Sequence, residues 1–306
     1  KKQNIRTACQ GLKAKQSFSI RELAQVIGQL VAAFPAVFWG PLFYRDLEKL
    51  KISALKVHKG EFEGITRLNK QAEKELDWWI EEGVDSYYPL TFPEISVEMT
   101  TDASNLGYGA TCQNKQTQGR WKKEEKSMHI NCLELLAIQY ALQSFQSEVN
   151  GKHVKILCDN TCAVSYVNKM GGSKSPECNK IAKEIWLWCR DNNVWVTISH
   201  IPGNMNVQAD AKSRIFNDRT EWTLNKSVFQ NICKKLYKPN IDLFASRLNY
   251  QVKPFISWTP DPEAFAIDAF TVNWKKWLIY AFPLFSLVQR CLRKLDGDVA
   301  EGVLIV

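Results

Sequence analysis

Nowhere in the 306 residues does an uninterrupted apolar run approach about 18 positions, so no membrane-spanning helix is expected. No block of five or more like charges occurs, which excludes a basic or acidic tail. No internal repeat is found. Among the nine cysteines there is no CxxC pair, and Cys158 and Cys162 lack a second ligand pair at zinc spacing. An odd thiol count without a signal core points to a reducing, intracellular compartment (cytoplasm or nucleus), with most thiols acting as small core hydrophobes. The chain opens Lys1-Lys2-Gln3-Asn4, without an initiator Met, and reads as an internal piece of something longer.

What is present is ordinary globular material. Hydrophobic residues make up 45% and charged residues 24%. The length suits about two domains. The net charge of +8 is spread evenly along the chain, which permits nucleic-acid binding without demanding it.

The first third reads as helical. Ser19 and Glu22 fit a capping box, and Leu23, Val26, Ile27, Leu30 and Val31 follow on one face, with Pro35 as a stop. A second helix is expected over Pro41–Lys51, and a third over about 66–82, ending at Gly83 with Trp78 and Trp79 as packing residues. The texture changes after Pro89 and Pro93. Ile95, Val97 and Met99 alternate with polar neighbours, as in a half-buried strand. Further strands are expected near Tyr108–Gln113, Gly119–Trp121, Val154–Cys158 and Val194–Ser199. Helices are expected over 131–147, 177–191 and about 206–213. Antiparallel strands followed by alternating strands and helices argue an α/β domain with a mixed sheet. Expected domains are therefore 1–93, helical; 94–215, α/β; and 216–306, mainly helical with Pro-rich joints, its Trp222, Trp258, Trp274 and Trp277 arguing a packed core.

Four carboxylates of the middle region stand on separate elements: Asp102 at a strand end, Glu134 in the first turn of a helix, Asp159 at another strand end and Asp210 in a short helix. The spacings are 32, 25 and 51 residues. Such groups meeting at one sheet edge repel one another unless cations neutralise them. Hard oxygen ligands suit Mg²⁺ or Mn²⁺, and two such ions can activate water against a phosphodiester. Singly, each carboxylate has a structural alternative. Glu134 is a candidate capping partner for Asn131, Asp159-Asn160 a helix cap, and Asp102 a turn residue.

The motifs "TTDASNLGYGA", "HINCLELLAI", "LCDNTCAVSYVNKMGG" and "HIPGNMNVQADAKSR" together resemble the ribonuclease H region of retrotransposon polyproteins, most closely those of DIRS-like tyrosine-recombinase elements. "LAQVIGQLVAAFPAV" resembles the thumb or connection after a polymerase palm, and "DLFASRLNYQ" with "YAFPLF" the stretch that follows ribonuclease H in those elements. The resemblance implies a ribonuclease H-like mixed five-stranded sheet flanked by helices. It also implies a reverse transcriptase fragment that cleaves the RNA strand of RNA–DNA hybrids, leaving a 5′ phosphate and a 3′ hydroxyl. Asp102, Glu134, Asp159 and Asp210 would bind two Mg²⁺, with Mn²⁺ as a substitute. His200, in the loop before Asp210, would assist proton transfer or product release. Asn160 and Asn206 would contact substrate or support the ligands.

Lys122, Lys123 and Lys126, with Lys169 and Lys174 around the Gly171-Gly172 loop, are candidates for phosphate contacts. The expected partners are the hybrid and an upstream polymerase domain of the same polyprotein, with no membrane. Two departures stand out. Lys212 occupies a position that is usually apolar and would compete for the carboxylates if turned inward, and Phe282-Pro283-Leu284 replaces a double proline. The paired-aspartate polymerase motif is missing. The alternative reading is a weak or inactive ribonuclease H-fold scaffold that binds nucleic acid within a reverse transcriptase.

Overall fold

A computed structural model of the protein describes residues 2–216 and 222–306. In chain order the main elements begin with α1 (Lys2–Lys13), α2 (Ile20–Ala33), α3 (Arg45–Val57) and α4 (Lys70–Trp78). Next come β1 (Ile95–Ala103), β2 (Gly107–Cys112), β3 (Lys115–Arg120), α5 (Ile130–Ser144) and β4 (His153–Cys158). They are followed by α6 (Thr161–Asn168), α7 (Pro176–Asp191), β5 (Trp195–His200) and α8 (Val207–Arg214). The last are α9 (Lys226–Lys235), β6 (Ile241–Asp242), β7 (Leu278–Ala281), α10 (Val288–Asp298) and β8 (Glu301–Leu304).

Contacts divide the chain into two compact units: Lys1–Glu94 with Val164–Asp191, and Ile95–Ala163 with Asn192–Val306. These units are drawn differently from the three consecutive domains expected from sequence. A stretch between β4 and β5 groups with the first third, and the last third groups with the sheet.

In the first unit the capping box at α2 is formed. Ser19 Oγ accepts from Glu22 N at 3.2 Å, and Glu22 accepts from Ser19 N at 2.8 Å. Ile20, Leu23, Val26, Ile27 and Leu30 are buried, whereas Val31, expected on the same face, is exposed. The second helix starts later than expected, at Arg45, because residues 40–42 form a tight turn. Its free N-terminal amides at Asp46 and Leu47 are met by the buried Glu75 carboxylate at 2.9 and 3.0 Å. α4 ends in a widened turn, Trp79–Gly83. Trp78 stacks on Phe43 at 4.0 Å, and the fully buried Trp79 donates to Phe43 O at 2.7 Å, so this pair does serve packing. α1 was not anticipated, although Ile5, Cys9 and Leu12 line its buried face at helical spacing. On α7, Trp186 meets Phe38 and Trp39 edge-on, with ring centroids 6.0 and 6.1 Å away.

The second unit is built on a mixed five-stranded sheet of order β3-β2-β1-β4-β5. β3, β2 and β1 are antiparallel neighbours; β1, β4 and β5 run parallel. β2 is buried along its whole length, so its apolar and small residues do not alternate with polar ones. α5 returns the chain from the hairpin to β4 and packs on β1 and β2. It is buried nearly all round, from Cys132 through Leu142.

The last third is not mainly helical as expected. Among its described residues it has two α-helices, α9 and α10, and a parallel three-stranded sheet of order β8-β7-β6. The strands are two to four residues long, too short for a period of two to show in the sequence. Trp274 is fully buried among Ile241, Leu243, Ile256 and Ile279, which bears out the packed core, while Trp222 and Trp258 are exposed. Arg247 fastens this segment to the five-stranded sheet. Its guanidinium donates to Arg120 O at 2.9 Å, pairs with Glu125 and lies 4.5 Å from the Tyr140 ring.

Candidate metal centre

The carboxylates meet because the strands carrying them end together. β1 and β4 are parallel, with Thr100 opposite Leu157, so Asp102 and Asp159, two residues further along each strand path, lie at neighbouring ends. α8 delivers Asp210. It approaches β2 closely enough that a Cβ at Gly109 would lie 2.4 Å from Ala209 O and 2.6 Å from Lys212 Cβ. Gly109 is the ladder partner of Asp102, so the missing side chain seats α8 beside that aspartate. Asn206 ties α8 to β1 by donating to Thr101 O at 2.9 Å. α5 starts at Ile130, so Glu134 enters from its second turn and not from the first as the sequence suggested. The α5 cap is His129, whose Nδ1 accepts from Asn131 N at 3.1 Å, so Glu134 is not the cap partner that the local sequence offers. Instead its carboxylate hydrogen-bonds the Ala103 backbone and accepts from Cys158 Sγ at 3.8 Å.

The electrostatics are those of crowded anions. Asp102 is 3% exposed, and its Oδ2 has no hydrogen-bond partner. Burial pushes its pKa up to about 6; a hydrogen bond from Ser213 opposes this, and the charges of Asp159 and Asp210 add to it. Glu134 is 4% exposed and pushed up to about 9, by burial first and then by Asp102 and Asp159. Burial also drives the Cys158 thiol far above its ordinary range. Glu134, Cys158 and Asp159 each offer a ligand atom, all within 4.8 Å of one another. A buried carboxylate oxygen with no donor, under the charges of neighbouring carboxylates, is the environment that a divalent cation relieves. The donor set therefore fits Mg²⁺ or Mn²⁺.

The remaining sequence candidates fall in different places. His200 is exposed at the end of β5, opposite Cys158 in the ladder. Asn160 caps α6, with Oδ1 accepting from Ala163 N at 2.9 Å, and its Nδ2 donates to Asn131 at 3.1 Å. Asn206 is 1% exposed and is held by its bond to Thr101 O, so it is not open to substrate. Lys122 is ion-paired with Glu263, whereas Lys123 is exposed. Lys174 is exposed and belongs to the first unit. Trp121, at the end of the expected third strand, is buried and donates to Ser104 O at 2.7 Å, so it serves packing.

Among the described residues, no ion pair joins Lys212 to the cluster. Arg214 Nε and Nη2 both lie 2.7 Å from Asp210 Oδ1. Sequence reasoning missed Gly109, Ser213 and Cys158 as parts of the site. The signals were a glycine opposite a ligand in the hairpin, a serine three residues after Asp210, and a thiol beside Asp159. A separate cavity of about 370 Å³, lined by Trp222, Phe244, Arg247, Trp258 and Phe282 among others, contains none of the four carboxylates.

Residues 93–185 match the family model of the RNase H-like domain found in reverse transcriptase. Strand order and matched stretch together mark this part of the chain as an RNase H-like domain of the kind found in reverse transcriptase. Over 144 residues the chain is 30% identical to the enzymatic polyproteins of Cauliflower mosaic virus, strains D/H and Strasbourg. That alignment covers 43% of this chain and spans 20% of the length of each of these curated relatives. Among solved structures, LC11-RNase H1 in complex with an RNA/DNA hybrid is 17% identical, with a TM-score of 0.34, over 38% of this chain and 93% of that one. The foamy viral protease-reverse transcriptase in complex with an RNA/DNA hybrid is 13% identical, with a TM-score of 0.28, over 73% of this chain and 30% of that one.

Proposed function

We propose that the protein is the ribonuclease H part of a retrotransposon reverse transcriptase, of the DIRS-like kind its motifs resemble, and that it cleaves the RNA strand of RNA–DNA hybrids. The observation that carries this reading is the unpartnered, buried Asp102 Oδ2 among Glu134, Asp159 and Asp210. Asp102, Glu134, Asp159 and Asp210 would hold two Mg²⁺, or Mn²⁺ in their place. A bound pair supplies activation of water and stabilisation of charge on the departing oxygen.

The chain's own residues do the positioning. Burial of Asp102 and Glu134 keeps bulk water from their carboxylates, and the α8–β2 contact at Gly109 fixes Asp210. His200, exposed at the rim, is the group free to move a proton. Lys123 and Lys174 are the lysines offered for phosphates, while Lys122 is held by Glu263. Choice of RNA over DNA requires contacts to the 2′-hydroxyl. An upstream polymerase domain would present the hybrid. Nine free cysteines suit a reducing, intracellular setting, and among the described residues no helix is long and apolar enough to cross a membrane.

The test uses labelled RNA–DNA hybrid, RNA duplex and DNA duplex, in Mg²⁺ and in chelator. Cutting of the hybrid alone, only with Mg²⁺, and lost in Asp102→Asn and Asp159→Asn, is expected. Absence of cutting by folded protein would favour the scaffold reading.

A further inference from the structure

The thiol beside the carboxylates is not explained by hydrolysis. Cys158 ends β4 with no exposed surface, its Sγ 3.8 Å from Glu134 Oε2, and it also accepts from Asn160 N at 3.4 Å. Sγ, a Glu134 oxygen and an Asp159 oxygen lie within 4.8 Å of one another. A fourth group lies close by: Asp102 is more than nine-tenths buried, its Oδ2 is unpartnered, its charge acts on Glu134, and the charge of Asp159 acts on it. One sulfur and three carboxylates form a mixed donor set. Hard cations use only the oxygens; soft or borderline cations gain from the sulfur.

We propose that Cys158, Glu134, Asp159 and Asp102 form a binding site for a thiophilic divalent cation of the Zn²⁺ or Cd²⁺ class, sharing its carboxylates with the hard-cation site. The proposal rests on the reading of those carboxylates as metal ligands. On binding, the S–H bond breaks, the proton leaves to solvent, and the sulfur lone pair goes to the cation; nothing is oxidised or reduced. Because the ligands are shared, a soft ion and Mg²⁺ exclude each other, and the soft ion holds the centre in a form that does not turn over.

The probe is Cd²⁺, added to the full chain in thiol-free buffer while the ultraviolet thiolate-to-Cd²⁺ charge-transfer band is recorded. Wild type is expected to give a saturable band, with Cys158→Ser losing that component. Glu134→Gln and Asp159→Asn keep the thiol and are expected to weaken Cd²⁺ binding at least tenfold. Excess Mg²⁺ should diminish the wild-type band. Circular dichroism checks that each variant is folded, and Cys158→Ala serves if the serine variant is not. An unchanged band in the Cys158 variants, or a band indifferent to both carboxylate substitutions, overturns the proposal. Hybrid cleavage in Mg²⁺ tests the nuclease reading alone. A band that needs Cys158 and the carboxylates supports the soft-ion site whether or not the hybrid is cut.

Discussion

At the scale of single residues, the four carboxylates cost stability when nothing neutralises them. Folding raises Asp102 from 3.8 to about 6 and Glu134 from 4.5 to about 9, so the folded state holds both protons more tightly than the unfolded chain. Metal-free stability from this cluster is greatest below pH about 4. It falls as the pH rises through about 6 for Asp102 and towards about 9 for Glu134. Asp102→Asn should therefore stabilise the metal-free protein by about 1–3 kcal/mol at pH 8, with the gain vanishing near pH 4, as read by urea unfolding at both values. The same change should lower Mg²⁺-dependent cleavage at least about a hundredfold. A variant less stable than wild type at pH 8 in chelator would contradict the crowding.

Arg214 belongs to the same scale. Its guanidinium pairs with Asp210, a carboxylate that a cation would also use. Arg214→Gln should tighten Mn²⁺ binding a few-fold in calorimetry; weaker binding would make Arg214 a support of the site and not a competitor. The position of a basic group near Asp210 was legible in the sequence, but which one was not. Helical geometry decides it: Arg214 follows Asp210 by four residues and shares its face, whereas Lys212, two residues on, does not.

At the scale of elements, Gly109 carries the approach of α8. Any side chain there meets backbone at 2.4–2.6 Å. Gly109→Ala should cost about 1–3 kcal/mol and displace Asp210, so cleavage and stability fall together. Retention of both would show that α8 can shift without consequence. In the first unit, Glu75 accepts the amides that open α3, and burial raises its pKa from 4.5 to about 7. Its contribution is fully present below pH about 4.5 and is lost as pH rises through about 7. Glu75→Gln should flatten that stretch of the stability profile.

Most of the strands and helices between Ile95 and Arg214 were readable because their apolar positions keep regular periods, whereas β2, buried throughout, was marked by its glycines. The short strands of the last third were not readable, because two to four residues show no period and their pairing is set by distant chain; α1 was harder to read because only Ile5, Cys9 and Leu12 mark its buried face among polar neighbours.

At the scale of the whole chain, the last third shares a compact unit with the sheet and is not a separate helical appendage. Arg247 is 2% exposed and lies between Glu125, Tyr140 and the Arg120 carbonyl. Removing one side of such a buried pair strands the other, so Arg247→Ala should destabilise the protein by about 3–5 kcal/mol in urea unfolding.

The most direct measurement is Mn²⁺ binding to the folded protein, by calorimetry or by the loss of the free-ion electron paramagnetic resonance signal. Two ions per chain are expected for wild type, with affinity falling at least about tenfold in each of Asp102→Asn, Glu134→Gln and Asp159→Asn. Identical binding by wild type and all three variants would show that these side chains do not form a metal centre.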